Sequence, residues 1–81
     1  MAYEVVGFRP YDMKAKDTGA TLKGVTVFVL ADDPNVTGRM ADKFSLSEKK
    51  LSANGWYPNL GEMIDLYYNK YGKVDYVDLA Q

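Results

Sequence analysis

Apolar residues crowd most densely between Leu22 and Ala31, in the run LKGVTVFVLA. The run is rich in β-branched and aromatic residues and too short for a confident helix, so it predicts a strand. Tyr3 to Lys14 predicts another, with Val5, Val6 and Phe8 near its start. Pro10 cannot donate to a ladder, which places this stretch in a bulge or at a sheet edge. Lys16-Asp17-Thr18-Gly19 between the two has turn chemistry, and the segments together predict a long hairpin. Gly24, inside the second strand, reads as a bulge or a bend, and less readily as a close approach to a ligand.

Asp32-Asp33-Pro34-Asn35 breaks the pattern, and Val36 to Arg39 is loop-like or a short irregular strand. Lys43 to Ser47 alternates polar and apolar residues and predicts a third strand. Ser47 is placed to cap a helical turn through Glu48-Lys49-Lys50-Leu51, which Asn54-Gly55 ends. Trp56-Tyr57-Pro58 is a loop and Asn59 to Glu62 a turn. Met63 to Asn69 and Lys73 to Leu79 then predict a second hairpin around Lys70-Tyr71-Gly72. Leu60, Ile64, Leu66, Val77 and Leu79 are its expected contribution to the core. The expected class is all-β: one domain over residues 1–81, a five-stranded antiparallel barrel of the OB kind with two long hairpins and at most one helical turn.

An 81-residue chain has a thin core. With neither Cys nor His, it has no disulfide and no structural zinc site of the usual kind to supplement that core. The N-terminus lacks the basic-then-apolar pattern of a signal peptide and no apolar run reaches the length of a membrane span, so a cytoplasmic protein is expected. Asn35-Val36-Thr37 therefore reads as a turn rather than a glycosylation site. Ten basic residues against eleven acidic ones give a net charge of −1, so nucleic-acid binding would need a local basic patch. Seven of the eleven aromatic residues are Tyr, which joins a stacking face to a polar tip.

Catalytic chemistry has little to work with. Histidine is absent, and Asp65, Asp75 and Asp78 alternate with apolar or aromatic residues as a solvated strand face does. Asp32 and Asp33 look like turn formers, and no phosphate loop, dinucleotide fingerprint or nucleophile elbow is present. No enzyme, cofactor or metal site is expected. Binding chemistry is better represented. Tyr67-Tyr68-Asn69-Lys70-Tyr71-Gly72-Lys73 puts aromatic and basic groups at one expected hairpin tip, where Lys70 and Lys73 can reach phosphates and Tyr71 can stack on a base. Arg9, Tyr11, Lys14 and Lys16 lie along the first strand and its turn, with Lys23 across the hairpin, while Arg39 and Lys43 flank the third strand. Asp12 and Asp17 dilute this set. Trp56 reads as packing and Tyr57 as either packing or contact. The candidate nucleic-acid residues are Arg9, Tyr11, Lys14, Lys16, Lys23, Tyr57, Tyr67, Lys70, Tyr71 and Lys73.

In layout the chain resembles the small OB-fold single-stranded DNA-binding proteins of filamentous phages and related mobile elements. Thr18-Gly19 and Lys23-Gly24 fall in the first long hairpin, and Lys43 to Glu48 looks like the family's third strand and following loop. Asn59-Leu60-Gly61 leads into Met63–Tyr68 as a glycine-containing turn leads into its fourth strand. Tyr71-Gly72 is similar to the aromatic–glycine pair at its last hairpin tip, and Val74 to Leu79 to its final strand. The chain departs from the family in its near-neutral charge and in carrying Tyr76 and Asp78 where the family has basic residues. The resemblance implies a homodimer that binds and protects single-stranded DNA without sequence specificity during phage or plasmid replication or transfer. Single-stranded RNA is a variant of that expectation. The alternative is a small β-barrel interaction module that grips a protein through Trp56, Tyr57, Tyr67 and Tyr71.

Overall fold

A computed structural model describes residues 2–80. The long apolar run is a strand, β2 (Thr21–Ala31), and its alternation buries Val25, Val27, Val29 and Ala31 on one side. Strand β1 (Tyr3–Lys14) runs antiparallel to it along its whole length. Between Val5, opposite Val29, and Gly7, opposite Phe28, β1 carries one residue too many, so Val6 is bulged out of register. The bulge switches parity. Before it Tyr3 and Val5 turn to the core; after it Phe8 and Pro10 stand opposite the buried Val27 and Val25. The irregularity expected near Pro10 thus lies earlier, where Gly7 follows two valines. Pro10 itself sits where β1 has no ladder partner on its other side, so its missing N–H costs nothing there.

Strand β3 (Met40–Ser47) extends the sheet beyond β2, and β4 (Met63–Tyr68) and β5 (Val74–Leu79) form the second hairpin. The five antiparallel strands make one sheet in the order β3-β2-β1-β4-β5, so the all-β expectation holds. The β1–β4 ladder is short. Only Tyr3 and Glu4 pair with Ile64 and Met63, and Val5 continues it through bonds of 2.9 Å to Glu62 O and 2.8 Å from Gly61 N–H. Strands β3 and β5 approach each other without a ladder among the described residues. The core gathers Val5, the three β2 valines, Leu46, Ile64, Val74 and Val77, with Tyr3, Phe8, Phe44, Leu51, Trp56 and Leu66 packed around it. Leu66, Ile64 and Val77 are where the sequence puts them. Leu60 and Leu79 are not: they are 70% and 54% exposed, Leu60 in the turn and Leu79 at the strand's last position, where it stands opposite Ile64 but is left uncovered.

The expected single turn after β3 is a longer helix, α1 (Glu48–Asn54). Ser47 Oγ accepts the Lys50 N–H at 3.2 Å and Gly55 closes the far end in the left-handed region, φ 62°, so both ends are satisfied and the helix runs through Asn54. Asn54 does more than end it. Its Oδ1 accepts the Val77 N–H at 3.1 Å, and its Nδ2 donates to Lys50 O at 2.8 Å and Asp75 O at 3.4 Å. Lys50 Nζ reaches Val74 O at 3.3 Å. Side chains of α1 thereby take up backbone groups along the edge of β5 that a sixth strand would otherwise seek. Trp56 follows the helix, packs against the core and donates its indole N–H to Glu62 at 2.7 Å, as a packing residue should.

Candidate nucleic-acid interface

The parity switch at Val6 sets what the outer side of the β1–β2–β3 sheet displays. Gly7, Arg9, Tyr11 and Met13 fall opposite Phe28, Thr26, Gly24 and Leu22. Phe28, Thr26 and Gly24 in turn face Lys43, Ser45 and Ser47. Directly opposed residues share a face, and the 2.9 Å hydrogen bond between Thr26 Oγ1 and Ser45 Oγ fixes that face as the one away from the valines. Three cross-strand rows result: Gly7–Phe28–Lys43, Arg9–Thr26–Ser45 and Tyr11–Gly24–Ser47. They hold two cations, two aromatic rings and three hydroxyl side chains, and no carboxylate. Glu4, the next outward residue back along β1, is met by Arg39 at 3.2 Å. At the sheet edge Asp42 turns its Oδ1 onto the Lys43 backbone N–H, 2.7 Å away.

Gly24 is not a bulge, since both of its ladders pass through it in register. A Cβ there would run into the Leu46 carbonyl oxygen and the Tyr11 hydroxyl. Its bare backbone is what lets the Tyr11 ring lie down across β2.

Three of the ten cations stand beside carboxylates. Arg39 is held by Glu4 and by Asp32 at 3.1 Å, and these hydrogen-bonded carboxylates raise its pKa further. Lys50 pairs with Asp75 at 3.2 Å, and Lys23 stands 4.0 Å from Asp12. Arg9, Lys14, Lys16, Lys43, Lys49, Lys70 and Lys73 have no ion pair among the described residues. Lys14 and Lys16 ride on the end of the first hairpin, which projects past the last β2–β3 pair, Gly24 with Ser47. At the other hairpin tip, Asn69 Oδ1 accepts the backbone N–H groups of Tyr71 (2.9 Å) and Lys73 (3.1 Å), which shapes the turn. Tyr71 is 75% exposed there, with Lys70 Nζ 5.2 Å from its ring centroid. Lys73 is not isolated. It lines a groove of about 420 Å³ between β3 and the second hairpin, together with Asp42, Lys43 and Ser45, so this tip meets the edge of the outer sheet face. Tyr68 borders the same groove; burial, then its hydrogen bond with Tyr3, pushes its phenol pKa up.

Of the candidates named from sequence, the fold brings Arg9, Tyr11 and Lys73 to this face or its margin. It brings Lys23 and Tyr57 to a second groove that shares Tyr11. Tyr57 stacks edge-on against Phe8 there, ring centroids 5.7 Å apart. Lys14, Lys16, Lys70 and Tyr71 stand at the hairpin tips. Tyr67 is set apart. It leans on Tyr76 across the β4–β5 ladder, 5.6 Å between centroids, next to the opposed pair Asp65 and Asp78, on a surface that repels phosphate. Lys43, Thr26, Phe28 and Ser45 were absent from the sequence set, and only the ladder registers reveal them. Among the described residues no cluster of ligating side chains suits a metal ion, and no helix is long and apolar enough to cross a membrane. No family model matches the chain, and neither a curated protein nor a solved structure does.

Proposed function

We propose that the protein binds single-stranded nucleic acid, DNA first, without sequence specificity, along the outer face of β1, β2 and β3. One observation carries this reading: among the described residues Arg9 and Lys43 have no ion pair, and they lie with Tyr11, Phe28 and three hydroxyl side chains on three cross-strand rows that hold no carboxylate, in a chain whose total charge is −1. Cations neutralise phosphates and release counterions, while exposed rings accept bases of any sequence by stacking. Lys73 and the Lys70–Tyr71 pair extend the strip at one margin, and Lys14 and Lys16 at the other. In OB folds the same places, the faces of strands 2 and 3 and the tips of the two hairpins, receive oligonucleotides. The protein-docking alternative has less support. Its four aromatics do not converge on one surface: Trp56 and Tyr57 line one groove, with the Trp56 indole tied to Glu62, while Tyr67 leans on Tyr76 and Tyr71 stands at a turn.

Titration of a fluorescein-labelled oligo-dT at several salt concentrations tests the reading. Binding in the range of about 10⁻⁴–10⁻⁶ M is expected, with a log–log salt slope of roughly −2 or steeper, as three or more phosphate contacts require. Binding indifferent to salt, or none at about 100 µM protein, removes the proposal.

A further inference from the structure

We infer that the groove between the end of the β1–β2 hairpin and α1 takes one unstacked nucleobase, and that Glu48 makes it prefer cytosine to thymine. The inference rests on the nucleic-acid reading above and adds, to a face that tolerates any sequence, one subsite with a modest base preference.

The groove measures about 620 Å³ and opens to solvent. Its walls are Pro10 and Tyr11 from β1, Leu51 from α1, and Trp56 and Tyr57 from the loop that follows. Gly24 and Gly55, also in the lining, add no side chain to fill it. Flat, apolar and aromatic walls suit a flat aromatic guest. Charge points the same way. Asp12 and Lys23 on the rim stand 4.0 Å apart and offset each other. A smaller groove adjoins this one and shares Tyr11, Lys23 and Glu48; it adds Lys49, so the two together hold as many cations as carboxylates. Such a site has no field to hold a phosphate or a polycation, but it admits a neutral base.

Continuity places a strand there. Tyr11 belongs both to the outer sheet face and to the groove, so a backbone tracked by Arg9 passes the groove mouth. Within the groove Glu48 has no ion-pair partner among the described residues. A carboxylate is acceptor-only, and cytosine offers it an exocyclic amino donor where thymine offers a carbonyl oxygen.

Trp56 is the only Trp in the chain and lines the groove, so its fluorescence reports occupancy directly. Oligo-dC and oligo-dT of equal length are titrated at pH 7.5 and low salt. Both are expected to quench Trp56, with oligo-dC binding about threefold to tenfold tighter, the ratio one net hydrogen bond supplies. Glu48→Gln keeps the side-chain size and the Ser47 cap, and its amide pairs with either base. The preference is expected to fall to about one. Equal affinities in the wild type, a preference that survives Glu48→Gln, or binding that leaves Trp56 fluorescence unchanged each overturns the base subsite and leaves the sheet face standing. Quenching by an uncharged-end Arg-Leu peptide, with neither oligonucleotide affecting Trp56, overturns it in favour of a peptide groove. Failure of both oligonucleotides to bind at all overturns it together with the reading beneath it.

Discussion

Ile64→Ala is expected to lower the thermal midpoint by roughly 8 °C or more, and Leu79→Ala to leave it nearly unchanged. The two side chains face each other across the β4–β5 ladder. Ile64 is fully buried, whereas Leu79 is 54% exposed. Shortening a buried isoleucine to alanine costs about 2–5 kcal/mol, because methylene transfer is lost and a cavity remains. A chain of 81 residues holds roughly 4–12 kcal/mol in all, so the change removes a large share. In domains of this size each kcal/mol moves the midpoint by about 4–8 °C. Surface substitutions such as Leu79→Ala stay within about 0.5 kcal/mol. Circular-dichroism melts of the two variants beside the wild type decide the matter; equal shifts would mean that the core extends to the end of β5.

Reversing both cations of the sheet face, Arg9→Glu with Lys43→Glu, is expected to weaken oligo-dT binding at low salt by at least about tenfold. The salt slope is expected to become shallower by about 1.4, since each phosphate contact on a single strand contributes about 0.7. Both residues are exposed and neither supports the core, so the melt should move little. Arg39→Ala removes a cation that is already paired and serves as the control. Its guanidinium is already engaged by Glu4 and Asp32, so the salt slope should not change. An unchanged slope in the double variant would move the phosphate contacts to the hairpin tips; a loss of affinity in Arg39→Ala as large as in the double variant would mean that total charge, not the sheet face, governs binding.

Most of the strands were readable because each segment is locally consistent. The 22–31 run alternates cleanly, and Ser47 and Gly55 bound the helix by their own chemistry. What escaped is what depends on counting across strands. Val5 and Val6 are chemically alike, and nothing local says which one is bulged; yet that choice decides whether Arg9 and Tyr11 face the core or the solvent. The outer face was therefore only half visible, and Lys43, Phe28, Thr26 and Ser45 could join it only once the registers were known. Tyr67 shows the opposite error. Adjacent in sequence to the basic hairpin tip, it points to the side where Asp65 and Asp78 meet, because residues two apart on a strand share a face and tip residues need not. Hydrophobicity alone puts Leu60 and Leu79 in the core, but it cannot see that a turn and a strand terminus leave a side chain uncovered.

The brevity of the β1–β4 ladder divides the molecule's motions. The first three strands are knit along long registers, but the second hairpin hangs from β1 by Tyr3, Glu4 and Val5, with Asn54 and Lys50 as side-chain ties to β5. Units with few backbone ties open at lower free energy than the global transition. Amide protons of Leu66, Tyr67 and Val77 should therefore exchange with deuterium ahead of those of Val27 and Val29, as one cooperative group, and the chain would breathe by swinging that hairpin away like a leaf on a short hinge.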